Sequence, residues 1–312
     1  MPTFIVIVVA AAVVVFAGAR LIGSEYAFFA GYVVLQYVVL ATAWNILGGY
    51  TGYVNFGSSG FFGMGAYTTV VLHNILPLPL PAMVAIGGIV SGIVGLGMGY
   101  LTLRLRGAFF AIATLALLVV LETLIVNWDF VGGGRGTYVI RPQSIPLFGD
   151  YIRYLVAIML TLSVVAIVTA RLIERSQLGY GFATIRDDEL AAEACGVPTL
   201  RLKLIATTLS GAFMGMAGAP FPYYITYIQP PSAFALDYSV NAIAMPMIGG
   251  TSSWVGPLVG AVLLGTLQQV ATVTLSPTVN LLIVGVLLIV FVVIAPDGIL
   301  GLGRNLRAWW RK

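Results

Sequence analysis

The sequence predicts an all-α fold, a polytopic transmembrane helical bundle of about ten spans that forms one domain over residues 1–312. Hydrophobic residues make up 60% of the 312 residues and charged residues only 8%, whereas a soluble domain carries roughly 25% charged residues. The mean hydropathy is +1.02. Apolar runs of about 20 residues, the length that crosses a bilayer as a helix, recur along the whole chain.

Ten apolar runs are the predicted spans. Short glycine-rich turns separate the second run from the third and the eighth from the ninth, so these pairs are alternatively broken or re-entrant helices. The first run has the length of a signal peptide, but its first residues include no Lys or Arg, and we interpret it as a span. The ten runs cover residues 3–22, 27–47, 55–73, 82–103, 108–127, 154–173, 203–222, 233–250, 255–275 and 279–296.

Lysine and arginine residues predict the orientation of the spans, because cytoplasmic loops of membrane proteins are enriched in both. With both termini in the cytoplasm, eleven basic residues lie on the cytoplasmic side and four outside. This places the loop of about 174–202 in the cytoplasm and the loop of about 128–153 on the outer face. It also assigns the net charge of +4 to topology rather than to nucleic-acid binding. The cytoplasmic set is Arg104, Arg106, Arg171, Arg175, Arg186, Arg201, Lys203, Arg304, Arg307, Arg311 and Lys312, and the outer set is Arg20, Arg135, Arg141 and Arg153.

Small residues at four-residue spacing predict close packing of the helices, because they let two backbones approach each other in lipid. The pairs Gly211–Gly215 and Gly256–Gly260 show this spacing. Pro220, Pro222 and Pro246 lie in or near spans. Each removes a backbone donor, so we expect kinks or breaks there.

The sequence lacks the motifs of a disulfide, a metal site, a nucleotide site or a catalytic site. The single cysteine, Cys195, excludes an internal disulfide, and the single histidine, His73, argues against a metal site. A Walker A loop needs Gly-Lys-Ser or Gly-Lys-Thr, but Leu204 follows Lys203, and Lys312 is the last residue. We find no acid–base or nucleophile constellation in the spans and expect no catalytic residue or bound cofactor. If ATP powers the protein, another subunit must hydrolyse it.

Two carboxylates fall in or beside the spans. Glu122 lies about one turn from the outer end of the fifth span, where snorkelling lowers the roughly 2.5–3.5 kcal/mol that a charge costs at the bilayer centre. A structural partner and a place on a solute path are both open for it. Asp237 begins the eighth span, and we expect it to cap that helix, whose positive end suits a negative charge.

The segment "ATIRDDELAAEACGV", residues 183–197, concentrates charge in an apolar chain. Its pattern predicts a short helix from about Asp187, capped by Thr184 or Asp187 and ended by Gly196 and Pro198. One face of this helix is small and apolar and another is acidic, which suggests basic partners, either Arg201 and Lys203 or another protein. A solvated surface helix is the alternative. The apolar face carries Leu190, Ala191 and Ala194, and the acidic face carries Glu189 and Glu193.

Part of this segment, "LAAEACG" (190–196), resembles the EAA loop of ABC importer permeases, whose pattern is E-A-A, three residues, then G. Ala191, Ala192 and Gly196 match the pattern, whereas Leu190 takes the place of its Glu and Glu189 comes one residue earlier. Five longer stretches resemble Liv-type branched-chain amino acid ABC permeases in the family's order, and the second and third of the five resemble the M-type subunit. They are "WNILGGYTGYVNFGSSGFFGMGAY" (44–67), "LRLRGAFFAIATLAL" (103–117), "VGGGRGT" (131–137), the stretch 174–219 and "MIGGTSSWVGPLVGA" (247–261).

The resemblance implies a permease subunit of an ATP-driven importer that works by alternating access in a bacterial-type inner membrane. Its implied partners are a second, H-type permease, two cytoplasmic P-loop ATPases that use ATP and Mg²⁺, and an extracytoplasmic substrate-binding protein. The expected solutes are branched-chain or other hydrophobic amino acids, with urea, short amides or nucleosides as alternatives within the family. A stand-alone channel or an ion-coupled carrier is the alternative of a different class.

The resemblance also implies a coupling helix at about 184–196 that docks on an ATPase. The residues expected to serve coupling are Arg186, Asp188, Glu189, Ala191, Ala192, Glu193 and Gly196. Polar residues in the spans are candidates either for the translocation path or for contacts between helices. They are Asn45, Asn55, Ser58, Ser59, Glu122 and Asn241.

Overall fold

A computed structural model gives the fold of the chain. The residues that it describes are 2–22, 25–76, 78–102, 104–105, 107–140, 144–145, 149–274, 282, 285–286, 289 and 298–301. The predicted tenth span, 279–296, lies almost entirely outside the described residues, as do the basic residues Arg304, Arg307, Arg311 and Lys312.

Helices dominate the described part of the chain, and a long helix occupies each of the first nine predicted spans. Six helical segments are long and apolar enough to cross a membrane, namely 25–51, 80–102, 108–126, 151–174, 199–225 and 255–273. The chain is therefore an all-α polytopic membrane protein, while its orientation and the total of ten spans stay predictions. The helices are α1 Pro2–Ile22, α2 Glu25–Thr51, α3 Ser58–Ile75, α4 Leu80–Thr102, α5 Ala108–Val126, α6 Tyr151–Glu174, α7 Gln177–Asp187, α8 Glu189–Ala194, α9 Thr199–Gly218, α10 Phe221–Ile225, α11 Pro230–Ala233, α12 Leu236–Gly249 and α13 Val255–Thr274.

The stretch between α9 and α12 consists of short elements instead of one continuous helix. Pro220 is the N-cap of α10 and Pro222 lies inside it, so the predicted break falls at these prolines. Thr226 ends α10 with a positive φ of 63°. Strand β4 (residues 227–228) and the short helix α11 then lead into α12, which contains Pro246.

Short strands connect the loop of about 128–153 to the chain that follows α10. Strand β1, Thr137–Tyr138, pairs antiparallel with β4, Tyr227–Ile228, so that Thr137 lies opposite Ile228. Strand β2, Ser144–Ile145, pairs with β3, Gly149–Asp150. The β2–β3 pair lies beside the start of α6.

Helices α3, α4 and α9 form a tightly packed seam, as the small-residue spacing predicts. A Cβ atom added to Gly65 would lie only 2.0 Å from the main-chain oxygen of Gly215. One added to Gly215 would lie 2.2 Å from Ser91 Oγ. The Ser91 hydroxyl donates to the Phe61 carbonyl at 3.0 Å. Glycine is thus required here because backbones from neighbouring helices are in direct contact.

The helix contacts repeat with a two-fold pattern. Helix α3 packs on α4 as α12 packs on α13, and α9 packs on α4 as α2 packs on α13. Helix α3 also contacts α9 in the same way that α12 contacts α2. The corresponding helices touch as well, because α2 contacts α9 and α3 contacts α12. The two helix sets α2–α3–α4 and α9–α12–α13 therefore behave as structural repeats. Internal repeats of this kind recur in transporters, where solute sites lie at the interface between them.

Candidate functional site

The end of the bundle that is predicted to face the cytoplasm contains the charged segment. It is formed by the end of α2, the start of α5 and helices α7 and α8, and we call it the inner end. Helix α7 stops at Asp187, and the extended backbone of Asp188 (φ −159°, ψ 106°) interrupts the helix before α8. The Asp188 carboxylate accepts hydrogen bonds from the main-chain N–H groups of Leu190 at 2.9 Å and Ala191 at 3.1 Å. Asp188 is therefore the N-cap.

The predicted caps Thr184 and Asp187 are wrong. Thr184 lies within α7 and donates to the Gly181 carbonyl, and Asp187 forms an exposed pair with Arg186 at 3.4 Å. Two adjacent aspartates look alike in sequence, but only the one with extended backbone can reach the free N–H groups of the next turn. The predicted helix end is confirmed, because Gly196 adopts a φ of 81° directly after α8 and its C-cap.

Glu189 points into the protein. Its carboxylate lies 2.6 Å from the Lys203 ammonium on α9, and the two side chains are only 11% and 4% exposed, respectively. The Tyr53 hydroxyl donates to the other carboxylate oxygen at 2.5 Å, and the Lys203 ammonium lies 3.2 Å from the Tyr53 hydroxyl. The Tyr53–Glu189–Lys203 triad therefore connects α8 to α9 and to the chain between α2 and α3.

Glu193 also bonds inward, since its carboxylate accepts a hydrogen bond at 2.7 Å from the hydroxyl of Thr199, the first residue of α9. Lys203 is thus one predicted partner of the acidic face, and Thr199 is a partner that the sequence did not indicate. Both contacts lie within the chain. The acidic face fixes the position of α8 on the bundle.

The opposite side of α8 is open. Leu190 is 62% exposed, and Ala191 and Ala194 are exposed beside it. Ala192, another predicted coupling residue, is 5% exposed and packs inward. Among the predicted coupling residues, Arg186, Asp188, Glu193 and Gly196 are also exposed. Helix α8 therefore presents a small apolar face outward from an anchored base.

Three path candidates lie together at the start of α3. The Ser58 hydroxyl donates to the Asn55 carbonyl at 3.2 Å, and the Asn55 side-chain oxygen accepts from the Gly57 N–H at 2.8 Å. The Ser59 N–H donates to the hydroxyl of Ser239, in the first turn of α12, at 2.8 Å. Asn55, Ser58, Ser59 and Ser239 are each at most 1% exposed, and Gly57 is also buried. We call Asn55, Ser58, Ser59 and Ser239 the central polar cluster.

The other path candidates lie elsewhere. The Asn45 amide donates to the Thr251 carbonyl at 3.1 Å, near the inner end. Asn241 on α12 accepts a hydrogen bond from Gln268 on α13 at 2.7 Å. Glu122 is half-buried on α5. The Asn45 bond connects α2 to the turn between α12 and α13, and the Asn241 bond connects α12 to α13.

Asp237 does not cap α12. It lies in the first turn of that helix, whose N-cap is Ala235 and which has no side-chain cap hydrogen bond. Its carboxylate still lies near the positive end of the helix dipole, as predicted. Asp237 is the second residue of α12, two positions after the N-cap Ala235, so the capping prediction placed the helix start two residues too late.

A cavity of about 460 Å³ lies between the chain that links α2 to α3, the start of α5, and α7–α8. Its lining includes Tyr53, Phe56, Phe110, Arg186 and Glu189. Sequence reasoning missed Tyr53, because a tyrosine in "GGYTGYVNFG" has no distinguishing pattern. Lys203 gave a usable signal: it is the one lysine before the final residue, and it falls within a predicted span.

Comparison with known proteins gives the family. The profile described as "Branched-chain amino acid transport system / permease component" matches residues 26–292. The high-affinity branched-chain amino acid transport system permease proteins LivM of Salmonella typhimurium and Escherichia coli are 28% and 27% identical to this chain, each over 86% of this chain and 68% of the relative.

A probable branched-chain amino acid transport permease protein LivH of Methanocaldococcus jannaschii is 25% identical over 80% of this chain and 84% of the relative. No solved structure matches the chain. The two M-type relatives thus cover more of this chain, at higher identity, than the H-type relative does. Together with the apolar helices, the profile match shows that the chain is a multi-pass inner-membrane protein of the Liv-type family, the permease components of branched-chain amino acid transport systems.

Proposed function

We propose that this chain is the M-type permease subunit of an ATP-driven importer for branched-chain or other hydrophobic amino acids. In this proposal a homologous H-type permease completes the membrane part, two P-loop ATPases bind the inner end in the cytoplasm, and a binding protein delivers the solute outside. Both chain termini then lie in the cytoplasm. The names of the LivM and LivH relatives support the solute class and the pairing with a second permease.

The observation that carries the ATPase contact is the anchored, outward-facing helix α8. A small, exposed face with Leu190 at 62% exposure can enter a groove on a partner closely. The buried ion pair beneath it, Glu189 to Lys203 at 2.6 Å, makes α8 move with α9. A helix that is both exposed to a partner and fixed to a spanning helix is suited to transmit force.

The solute path is proposed to pass the central polar cluster. The first turns of α3 and α12 meet there, and helix N-termini carry partial positive charge that suits the carboxylate of an amino acid. The cluster also lies at the interface of the two structural repeats, which is where transporters place their solute sites.

The experiment is uptake into proteoliposomes. The complete transporter, reconstituted with its ATPases, H-type permease and binding protein, is expected to accumulate labelled leucine with ATP and not with a non-hydrolysable analogue. Urea, a short amide and a nucleoside, tested in the same assay, decide among the solute classes. ATP-independent uptake by this chain alone would instead establish a channel or an ion-coupled carrier.

A further inference from the structure

The chain between α2 and α3, residues 52–57, is non-helical and has two faces. Tyr53, Asn55 and Gly57 are buried, whereas the alternate residues are exposed. Side chains alternate in this way along extended backbone. The exposed residues Val54 and Phe56 line the 460 Å³ cavity together with Tyr53, whereas Asn55 and Gly57 lie buried in the bundle.

This 52–57 segment runs back into the bundle instead of turning on its surface. The indole N–H of Trp44, seven residues before the end of α2, donates to the Asn55 carbonyl at 2.9 Å. The Phe56 N–H donates at 3.1 Å to the hydroxyl of Thr114, which lies six residues, or about 9 Å, along α5. The segment therefore lies between the cavity at the inner end and Ser58, Ser59 and Ser239, and contributes Asn55 to the central polar cluster.

The buried face of the segment carries a hydrogen-bond donor that no described residue accepts from. The side-chain NH₂ group of Asn55 has no hydrogen-bond partner among the described residues, and Asn55 is 0% exposed. A buried, unsatisfied polar group costs stability and calls for an explanation. A passing polar solute would supply the acceptor that the closed bundle lacks.

Helix α8 holds this segment from the inner end. The Tyr53 hydroxyl bonds to Glu189, the first residue of α8, and Glu189 pairs with Lys203. Next to Tyr53, Gly52 adopts a φ of 79°, and a Cβ there would lie 3.2 Å from Cγ of Arg186 on α7. A movement of α8 would therefore change the contacts of the segment directly.

From this arrangement we propose that the 52–57 segment is the inner gate of the solute path, and that the Tyr53–Glu189–Lys203 triad positions it according to the state of α8. The inference rests on the proposed function, since ATPase movement must drive α8. With the triad intact, the segment closes the route between the central polar cluster and the cavity. When α8 shifts, Glu189 releases the Tyr53 hydroxyl and the cavity becomes continuous with the cluster.

The test uses the complete transporter in proteoliposomes, with Cys195→Ser removing the native thiol and Ser58→Cys reporting on the cluster. A membrane-impermeant maleimide is added on the ATPase side without ATP. Tyr53→Phe keeps the ring but removes the bond to Glu189, and we expect about tenfold faster labelling, within the usual range for coupling between sites. When Tyr53→Phe is made in the otherwise wild-type transporter, leucine transported per ATP hydrolysed should fall in parallel.

Thr199→Val is the matched control, because it removes a different α8–α9 hydrogen bond, Thr199 to Glu193, and leaves the triad in place. Its labelling rate should equal that of the parent. Hydrogen exchange gives a second measurement without the reporter cysteine: the Phe56 and Gly57 N–H groups are hydrogen-bonded to side chains and should exchange about tenfold faster in Tyr53→Phe.

Unchanged labelling and exchange in Tyr53→Phe would overturn the gate, as would an equal effect of Thr199→Val. Either result leaves the proposed function standing if the wild-type transporter, with Ser58 and Cys195 unchanged, takes up leucine with ATP. A wild-type transporter without ATP-dependent uptake would refute the proposed function itself, and with it the ATPase-driven gate.

Discussion

The seam of α3, α4 and α9 and the base of α8 are held by opposite means. In the seam, glycines bring backbones into contact, and a Cβ at Gly65 would lie 2.0 Å from a main-chain oxygen. At α8, six residues are held by the Glu189–Lys203 ion pair and by hydrogen bonds to Tyr53 and Thr199. Within lipid, close contact between small residues holds helices together. At α8, a six-residue helix with little apolar surface, an ion pair and hydrogen bonds do this instead.

The two regions therefore tolerate different amino-acid substitutions. The seam depends on volume, so added atoms disrupt it whatever their polarity. The base of α8 depends on charge balance, so losing one partner costs more than losing both. A region held by charge can also switch between two arrangements, which suits a coupling element better than a close-packed seam does.

The largest effect is expected from Lys203→Met. The carboxylate of Glu189 would stay buried without the ammonium group now 2.6 Å away. Removing one member of a buried ion pair typically costs about 3 kcal/mol or more in free energy of unfolding. Thermal or chemical unfolding of the purified protein in detergent measures the loss.

The double variant Glu189→Gln/Lys203→Met sharpens this result. It removes both charges at similar volume, so most of the lost stability should return. A double variant as unstable as Lys203→Met would contradict the account of the α8 base.

The next effect is expected from Gly65→Ala. The added methyl carbon would lie 2.0 Å from the Gly215 carbonyl oxygen, so α3 and α9 must separate. Overpacking of this kind costs about 1–3 kcal/mol in stability. Gly97→Ala is the control, because a Cβ on that α4 residue meets nothing within 4 Å. Equal unfolding midpoints for the two alanine variants would count against backbone contact as the basis of the seam.

The smallest effect is expected from Asp188→Ala, which removes the cap of α8 but not its anchors. Loss of an N-cap aspartate costs about 1 kcal/mol. Asp187→Ala should cost less, because its exposed pair with Arg186 contributes little. Hydrogen exchange of the Leu190 and Ala191 N–H groups compares the two variants. Faster exchange in Asp187→Ala than in Asp188→Ala would reverse the assignment of the cap.

The sequence predicted the long helices better than the junctions between them. Apolar length located α1–α6, α9, α12 and α13 because burial in lipid needs a fixed number of apolar residues. Helix breaks depend on backbone angles of single residues, so the extended backbone at Asp188 and the positive φ at Thr226 were not foreseen.

The candidate site was predicted in part for the same reason. The charged segment, its apolar face and Lys203 as a possible partner follow from pattern and charge. Tyr53 lies 136 positions from its partner Glu189, and Ser59 lies 180 positions from Ser239. Periodicity within one segment does not reveal tertiary contacts between positions so far apart in the chain.

The most direct test of the central claim, that α8 couples this permease to an ATPase, is substrate-stimulated ATP hydrolysis by the reconstituted complex of Ala191→Asp. Ala191 is exposed on the outward face of α8, so the charge should block docking without disturbing the fold. We predict that Ala191→Asp loses at least about 90% of the stimulated activity, which is a tenfold or about 1.4 kcal/mol effect on coupling. Ala191→Ser, which stays small and uncharged, should keep it. Full stimulation and uptake by the Ala191→Asp complex would contradict the claim.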